Sequence, residues 1–122
     1  MCGIIGYIQN NNPNITKDIL CDLQKLEYRG YDSAGICVIS NGEFVTTKSL
    51  GEIKNLKQKT SPICATCGIA HTRWATHGNV SLQNTHPHFD NKKEWSVVHN
   101  GIIENHIVLK NKLKKNSATF YG

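Results

Sequence analysis

The sequence predicts a layered fold of helices and strands, of α/β or α+β class, and three observations carry that reading. The order of elements is strand, helix, two strands, helix, strand, loop, strand, helix. Ile19, Leu20, Leu23 and Leu26 recur at helical spacing between two apolar strands. Asn41-Gly42, between two strand-like runs, is the strongest short hairpin signal.

Each element has its own signal. Residues 2–9 read as a buried, β-branched strand, closed by the polar loop Gln9-Asn10-Asn11-Asn12-Pro13. The first helix follows, with Asn14 or Thr16 as its N-cap. After the turn Arg29-Gly30-Tyr31-Asp32-Ser33 come strands over 35–40 and 43–48. A short polar helix is expected over 52–59, with Ile53 and Leu56 on its inner side. Residues 67–74 form another apolar strand, and 75–93 a long irregular stretch carrying Gly78 and Pro87. Strand character resumes over 95–103, before a helix bearing Ile107, Leu109 and Leu113. Cys21 and Cys37 fall inside the helix and strand patterns and read as core residues.

At 122 residues the chain is at most one domain, with no repeats or low-complexity linkers. Apolar residues make up 39% and charged residues 19%, ordinary for a soluble domain. No apolar run approaches the ~20 residues of a membrane-spanning helix, and no secretory signal pattern opens the chain. Five cysteines, an odd number, suggest free thiols in a reducing, cytoplasmic setting. The net charge of +5 comes mostly from lysine, with Lys110, Lys112, Lys114 and Lys115 crowding the last helix. Few aromatics and only two arginines, Arg29 and Arg73, argue for a solvated lysine face rather than a nucleic-acid surface.

Four stretches bear on chemistry. The chain opens MCGIIGYI, placing a thiol directly behind the initiator methionine. On that stretch alone, Cys2 reads most simply as a small apolar residue starting a strand. Removal of the methionine would instead leave a thiol and a free α-amine on one residue. The unperturbed pKa values are about 8.5 and about 7.7–8.0, so the amine can serve its neighbour as base. The other stretches are EYRGYDSAG (27–35), AHTRWATHG (70–78) and VHNGIIEN (98–105). Taken singly, Asn100-Gly101 can be a hairpin turn, His77-Gly78 a strand exit and Arg73 a surface ion-pair partner. Together they supply an acyl-transfer site. Cys2 is the nucleophile, Arg73 a two-pronged grip for a carboxylate, and the Asn100 amide with the Gly101 N–H a pair of oxyanion donors.

CGIIGYI, EYRGYDSAG, AHTRWATHG, THPH and HNGIIEN occur in this order over residues 2–105, and the chain thereby resembles the class II glutamine amidotransferases. These are N-terminal-nucleophile hydrolases with an α+β, four-layer αββα sandwich. The match is with the branch that passes ammonia to fructose 6-phosphate in amino-sugar synthesis. The resemblance implies that Cys2 attacks the side-chain amide of L-glutamine and releases ammonia. It gives Arg73 the substrate carboxylate, Thr76 and His77 the positioning of the substrate's backbone groups, and Trp74 the gate of an ammonia passage. Asn100 and Gly101 form the oxyanion hole, His86 sits in a loop closing the site, and Arg29 holds the turn near the nucleophile. No cofactor and no metal are implied.

Two features depart from the family. A short acidic motif, whose aspartate binds the glutamine amino group, is expected just where the sequence ends at Phe120-Tyr121-Gly122. The family's glutaminase domain is also longer. Residues 1–122 are therefore expected to be only its N-terminal part, with the sugar-phosphate isomerase domain absent and fructose 6-phosphate reachable only through that domain. Such a piece is expected to have little glutaminase activity alone and to leave an apolar face uncovered. A catalytically silent remnant that binds a protein partner through that face is the alternative. A rival of another class uses Cys64 and Cys67 with His71 or His77 as a zinc or redox site, for which one CxxC pair is weak support.

Overall fold

The computed structural model describes residues 2–74 and 78–121, Asn11 by its backbone alone. Strands β1 (Gly3–Asn12), β2 (Ser33–Ser40), β3 (Glu43–Leu50) and β4 (Ala65–Arg73) form one antiparallel sheet in the order β1-β4-β2-β3. Helices α1 (Ile15–Gln24) and α2 (Ile53–Lys59) cover one face. A ribbon of β5 (His88–Phe89) and β6 (Ser96–Val97) follows, then α3 (His106–Lys115).

Strand alternation sorts the sheet into two faces. Ile5, Ala70 and Ile36 lie in one row across β1, β4 and β2, and belong to the core. Against them α1 packs Ile15, Ile19 and Leu23, and α2 packs Ile53 and Leu56, all with no exposed surface. Each such side chain contributes about 1.5–3 kcal/mol of burial. The Tyr7 hydroxyl donates to the Asp22 carboxylate, tying β1 to α1; that bond, with burial, pushes the phenol up to about 12.

The other face carries Cys37, Ile69, His71 and Arg73. It is covered in part by residues 85–89: Phe44 meets Phe89 with ring centres 5.5 Å apart, and His71 stacks on His86 at 4.1 Å. The fold is thus α+β, a helix layer on a four-stranded sheet, with a separate two-stranded ribbon following it.

Most boundaries agree with expectation. Ile53 and Leu56 are the buried positions of α2, and Asn41-Gly42 turns the β2–β3 hairpin with φ of 52° and 77°. Four expectations are corrected. β1 continues through the polar run to Asn12, because a register shift between Ile8 and Asn12 absorbs the change in pattern. Leu26 lies beyond the end of α1, before a 3₁₀ turn over Glu27–Arg29. Cys21 is exposed rather than core, since it stands two residues from both Ile19 and Leu23 and so faces the opposite side of the helix. Over 95–103 only Ser96–Val97 pairs as strand. Gly101 adopts φ 119°, which ladder geometry does not accommodate. Cys37 is 2% exposed, as its strand position requires. Asn14 caps α1 by position, without a side-chain hydrogen bond.

Among the described residues no helix is long and apolar enough to cross a membrane.

Candidate functional site

The pairing of β1 with β4 places the nucleophile candidate. Gly3 lies opposite Thr72, and its N–H donates to the Thr72 hydroxyl at 3.1 Å. Cys2, one residue earlier, therefore falls beside the end of β4, where the Trp74 N–H approaches its Sγ at 3.4 Å. By alternation Cys2 shares its face with His71 and Arg73. The turn before β2 supports this corner. The Asp32 N–H donates to the Arg73 carbonyl, Tyr31 meets Trp74 edge-on at 5.2 Å, and Gly30 lies so close to the Arg73–Trp74 peptide that a Cβ would sit 2.7 Å from it.

Asn100 arrives from far along the chain. Its Nδ2 donates to the Cys2 carbonyl at 3.0 Å, and its Oδ1 meets His71 Nε2 at 2.8 Å. Arg73 is 7% exposed; its Nη1 donates to the Asn79 carbonyl at 2.9 Å, which also receives Asn84 Nδ2. A cavity of about 590 Å³ opens over this corner, lined by Cys2, Arg73, Trp74, His86 and Gly101 among others, with an apolar wall that includes Ile103 and Leu109. A volume of that size falls in the range of small-molecule sites.

His71, His86 and His88 are held toward the neutral form. Burial, with His71, His88, Arg73 and His99 nearby, depresses His86 to about 3; burial also lowers His71 and His88. The folded value of His86 lies below the unfolded value of about 6.5, so an opened chain takes up its proton first. The stacked arrangement is fully stable above about pH 6.5 and is expected to weaken as pH falls toward 3. Proton NMR of the imidazoles checks this: His86 should show no titration between pH 5 and 7 while docked, and a midpoint near 6.5 would refute it.

Of the residues singled out from sequence, Cys2, Arg73, Trp74, His86 and Gly101 line one cavity, and Asn100 bonds to Cys2. Thr76 and His77 lie outside the described residues. Arg29 closes the 3₁₀ turn. His71 and Asn84 were not among the candidates for this chemistry, yet both line the cavity. His71 was legible in principle, because it precedes Arg73 by two residues on a strand and must share its face. Cys64 is exposed and Cys67 half-buried, and among the described residues no group of three histidine, cysteine or acidic side chains is placed to hold a metal ion.

The family model for class II glutamine amidotransferases matches residues 31–118. Among curated relatives, the glutamine–fructose-6-phosphate aminotransferase (isomerizing) of Aquifex aeolicus is 47% identical over 122 residues, covering 98% of this chain and 20% of its own. The enzyme of the same name from Oceanobacillus iheyensis is 50% identical over 113 residues, covering 91% and 18%. The chain thus spans about a fifth of the length of these relatives. Of solved structures, the glutamine phosphoribosylpyrophosphate amidotransferase of B. subtilis superposes with a TM-score of 0.78 at 24% identity, covering 99% of this chain and 26% of its own. A structure described as the allosteric regulatory enzyme of purine biosynthesis gives 0.83 at 24% identity, with the same coverage. These two share the fold, and the family match with the sequence identities goes further: the chain belongs to the class II glutamine amidotransferases.

Proposed function

We propose that this site hydrolyses the side-chain amide of L-glutamine, with the Cys2 thiol as nucleophile, as the N-terminal part of a glutaminase domain. The observation that carries the reading is the meeting of Asn100 with Cys2 across 98 residues of sequence, beside a cavity that also holds Arg73. Once Met1 is removed, the Cys2 α-amine takes the thiol proton and Sγ attacks the amide carbon. The negative charge moves to the amide oxygen, where one Asn100 N–H and the Gly101 N–H receive it. Collapse expels ammonia, which leaves with the proton returned from the ammonium. Water then cleaves the γ-glutamyl thioester to glutamate and regenerates the thiol. Arg73 holds the substrate carboxylate; Thr76 and His77 position its backbone groups, His86 sits in the loop that closes the site, and Trp74 gates the ammonia passage.

The reading extends to passing that ammonia to fructose 6-phosphate, for glucosamine 6-phosphate, at a sugar-phosphate isomerase portion outside these residues; relatives named glutamine–fructose-6-phosphate aminotransferase support it. Cysteines without disulfides among the described residues support a reducing, cytoplasmic setting. A second reading, a silent partner-binding module, draws on α3, where Ile107 and Val108 are 62% and 68% exposed. A stoichiometric partner on purification, without ammonia release, would favour it.

The test is intact mass of the full chain before and after an electrophilic glutamine analogue. The expected result is loss of Met1 and one adduct, absent in Cys2→Ala and slower to form in Arg73→Ala. A retained Met1, or labelling indifferent to Cys2→Ala, would overturn the reading.

A further inference from the structure

We propose that His71 is a positioning residue that sets the direction of the Asn100 carboxamide through a hydrogen bond donated from its Nε2. The inference rests on the glutaminase reading for its kinetic consequence, but its structural content stands alone.

The argument begins at the Cys2 carbonyl, which can only accept. Whichever Asn100 atom lies 3.0 Å from it must be the amide nitrogen. The amide oxygen is then the atom facing His71 at 2.8 Å, and it too can only accept. His71 Nε2 must therefore carry a proton. The ring is 1% exposed and stacked on His86, and burial lowers its pKa, so at neutral pH it carries a single N–H. That proton is committed to Asn100.

The direction matters chemically. A primary amide can rotate by half a turn with little change of shape, exchanging two donors for an acceptor. With the oxygen pinned by His71, one N–H is engaged by the Cys2 carbonyl and the other remains for a charge forming at the thiol. Turned the other way, the amide would put oxygen lone pairs where that charge develops, and repulsion would replace stabilisation. Asn100 itself is exposed and sits in an irregular segment, so the strand packing around it does not impose its orientation. His71, on a central strand, supplies the rigid reference.

The test compares His71→Phe and His71→Gln in the full chain. His71→Phe keeps a planar ring for the stack but removes the donor. The expected result is a fall in glutaminase kcat of about 10- to 100-fold, below the ~10²–10³ of losing an oxyanion donor outright. KM for glutamine should stay within about twofold, and alkylation of Cys2 by iodoacetamide should keep its rate. His71→Gln, whose amide N–H can reach the same oxygen, should recover part of kcat. An unchanged kcat in His71→Phe, a loss expressed in KM, or no recovery in His71→Gln would overturn the proposal. A wild-type chain whose Cys2 is not labelled by an electrophilic glutamine analogue would refute the glutaminase reading instead. The tautomer is then decided by ¹⁵N NMR of the histidine rings, which must show the His71 proton on Nε2 and a shift of that signal in Asn100→Ala. A proton on Nδ1 overturns the proposal whatever the activity.

Discussion

Gly35→Ala is expected to destabilise the protein by about 1–3 kcal/mol, whereas Gly6→Ala should leave it unchanged or firmer. Both glycines lie within strands, on the face of the sheet opposite α1, and the usual effect of alanine there is favourable. It restricts the unfolded chain and is worth roughly 0.4–1 kcal/mol where the native backbone tolerates it. At Gly6 an ideal Cβ meets nothing within 4 Å. At Gly35 it would lie 1.9 Å from the carbonyl oxygen of His86 and 3.0 Å from Pro87 Cδ. Backbone cannot swing aside as a flexible side chain does, so the segment must lift off the sheet. With it go the His71–His86 stack and the Phe44–Phe89 contact. The clash outweighs the entropic gain. Thermal melts of the two variants provide the check: at roughly 4 °C per kcal/mol, Gly35→Ala should melt about 4–12 °C below wild type. Equal midpoints would mean that residues 85–89 do not rest on β2 in solution.

That contact also marks where sequence stops being informative. Local periodicity and turn chemistry located every strand and helix of the main sheet, because apolar spacing and Asn41-Gly42 are properties of neighbouring residues. Cys2, Arg73, Asn100 and Gly101 could be named as candidates from sequence, and the fold brings them to one corner. What lay beyond reach was pairwise. Nothing in a single sequence shows that His86 will lie on Gly35, or that His71 will face an amide 29 residues later. The 95–103 stretch misled for the same reason: its β-branched residues suit a strand, but the chain departs from the ladder with Gly101 at φ 119° and Asn100 bonded to Cys2. Cys21 was misplaced by counting apolar residues on α1 without asking which side of the helix each occupies.

Asn100→Ala is expected to lower glutaminase kcat by about 10²–10³, equivalent to 2.7–4 kcal/mol of barrier, while KM for glutamine changes little. The residue touches the protein at two points, the Cys2 carbonyl and His71 Nε2, so truncation also removes two hydrogen bonds. Asn100 is exposed, and water can replace it at the Cys2 carbonyl; each bond is then worth about 0.5–1.5 kcal/mol of stability. The catalytic effect is the larger, because in the transition state the amide faces a full charge rather than a neutral carbonyl. Asn100→Asp sharpens the comparison. It keeps the shape and can still accept from His71, but it offers a second acceptor where a donor is needed, and its charge opposes the oxyanion. It should therefore be at least as slow as Asn100→Ala, and because the Cys2 carbonyl can only accept, it keeps the bond to His71 but sets a carboxylate oxygen against that carbonyl. Melting temperatures and single-turnover rates of both variants separate these effects. If activity follows melting temperature in both variants, Asn100 serves to hold Cys2 in place and the oxyanion must be stabilised elsewhere. If both variants lose far more rate than stability, the amide N–H acts on the reacting atoms themselves.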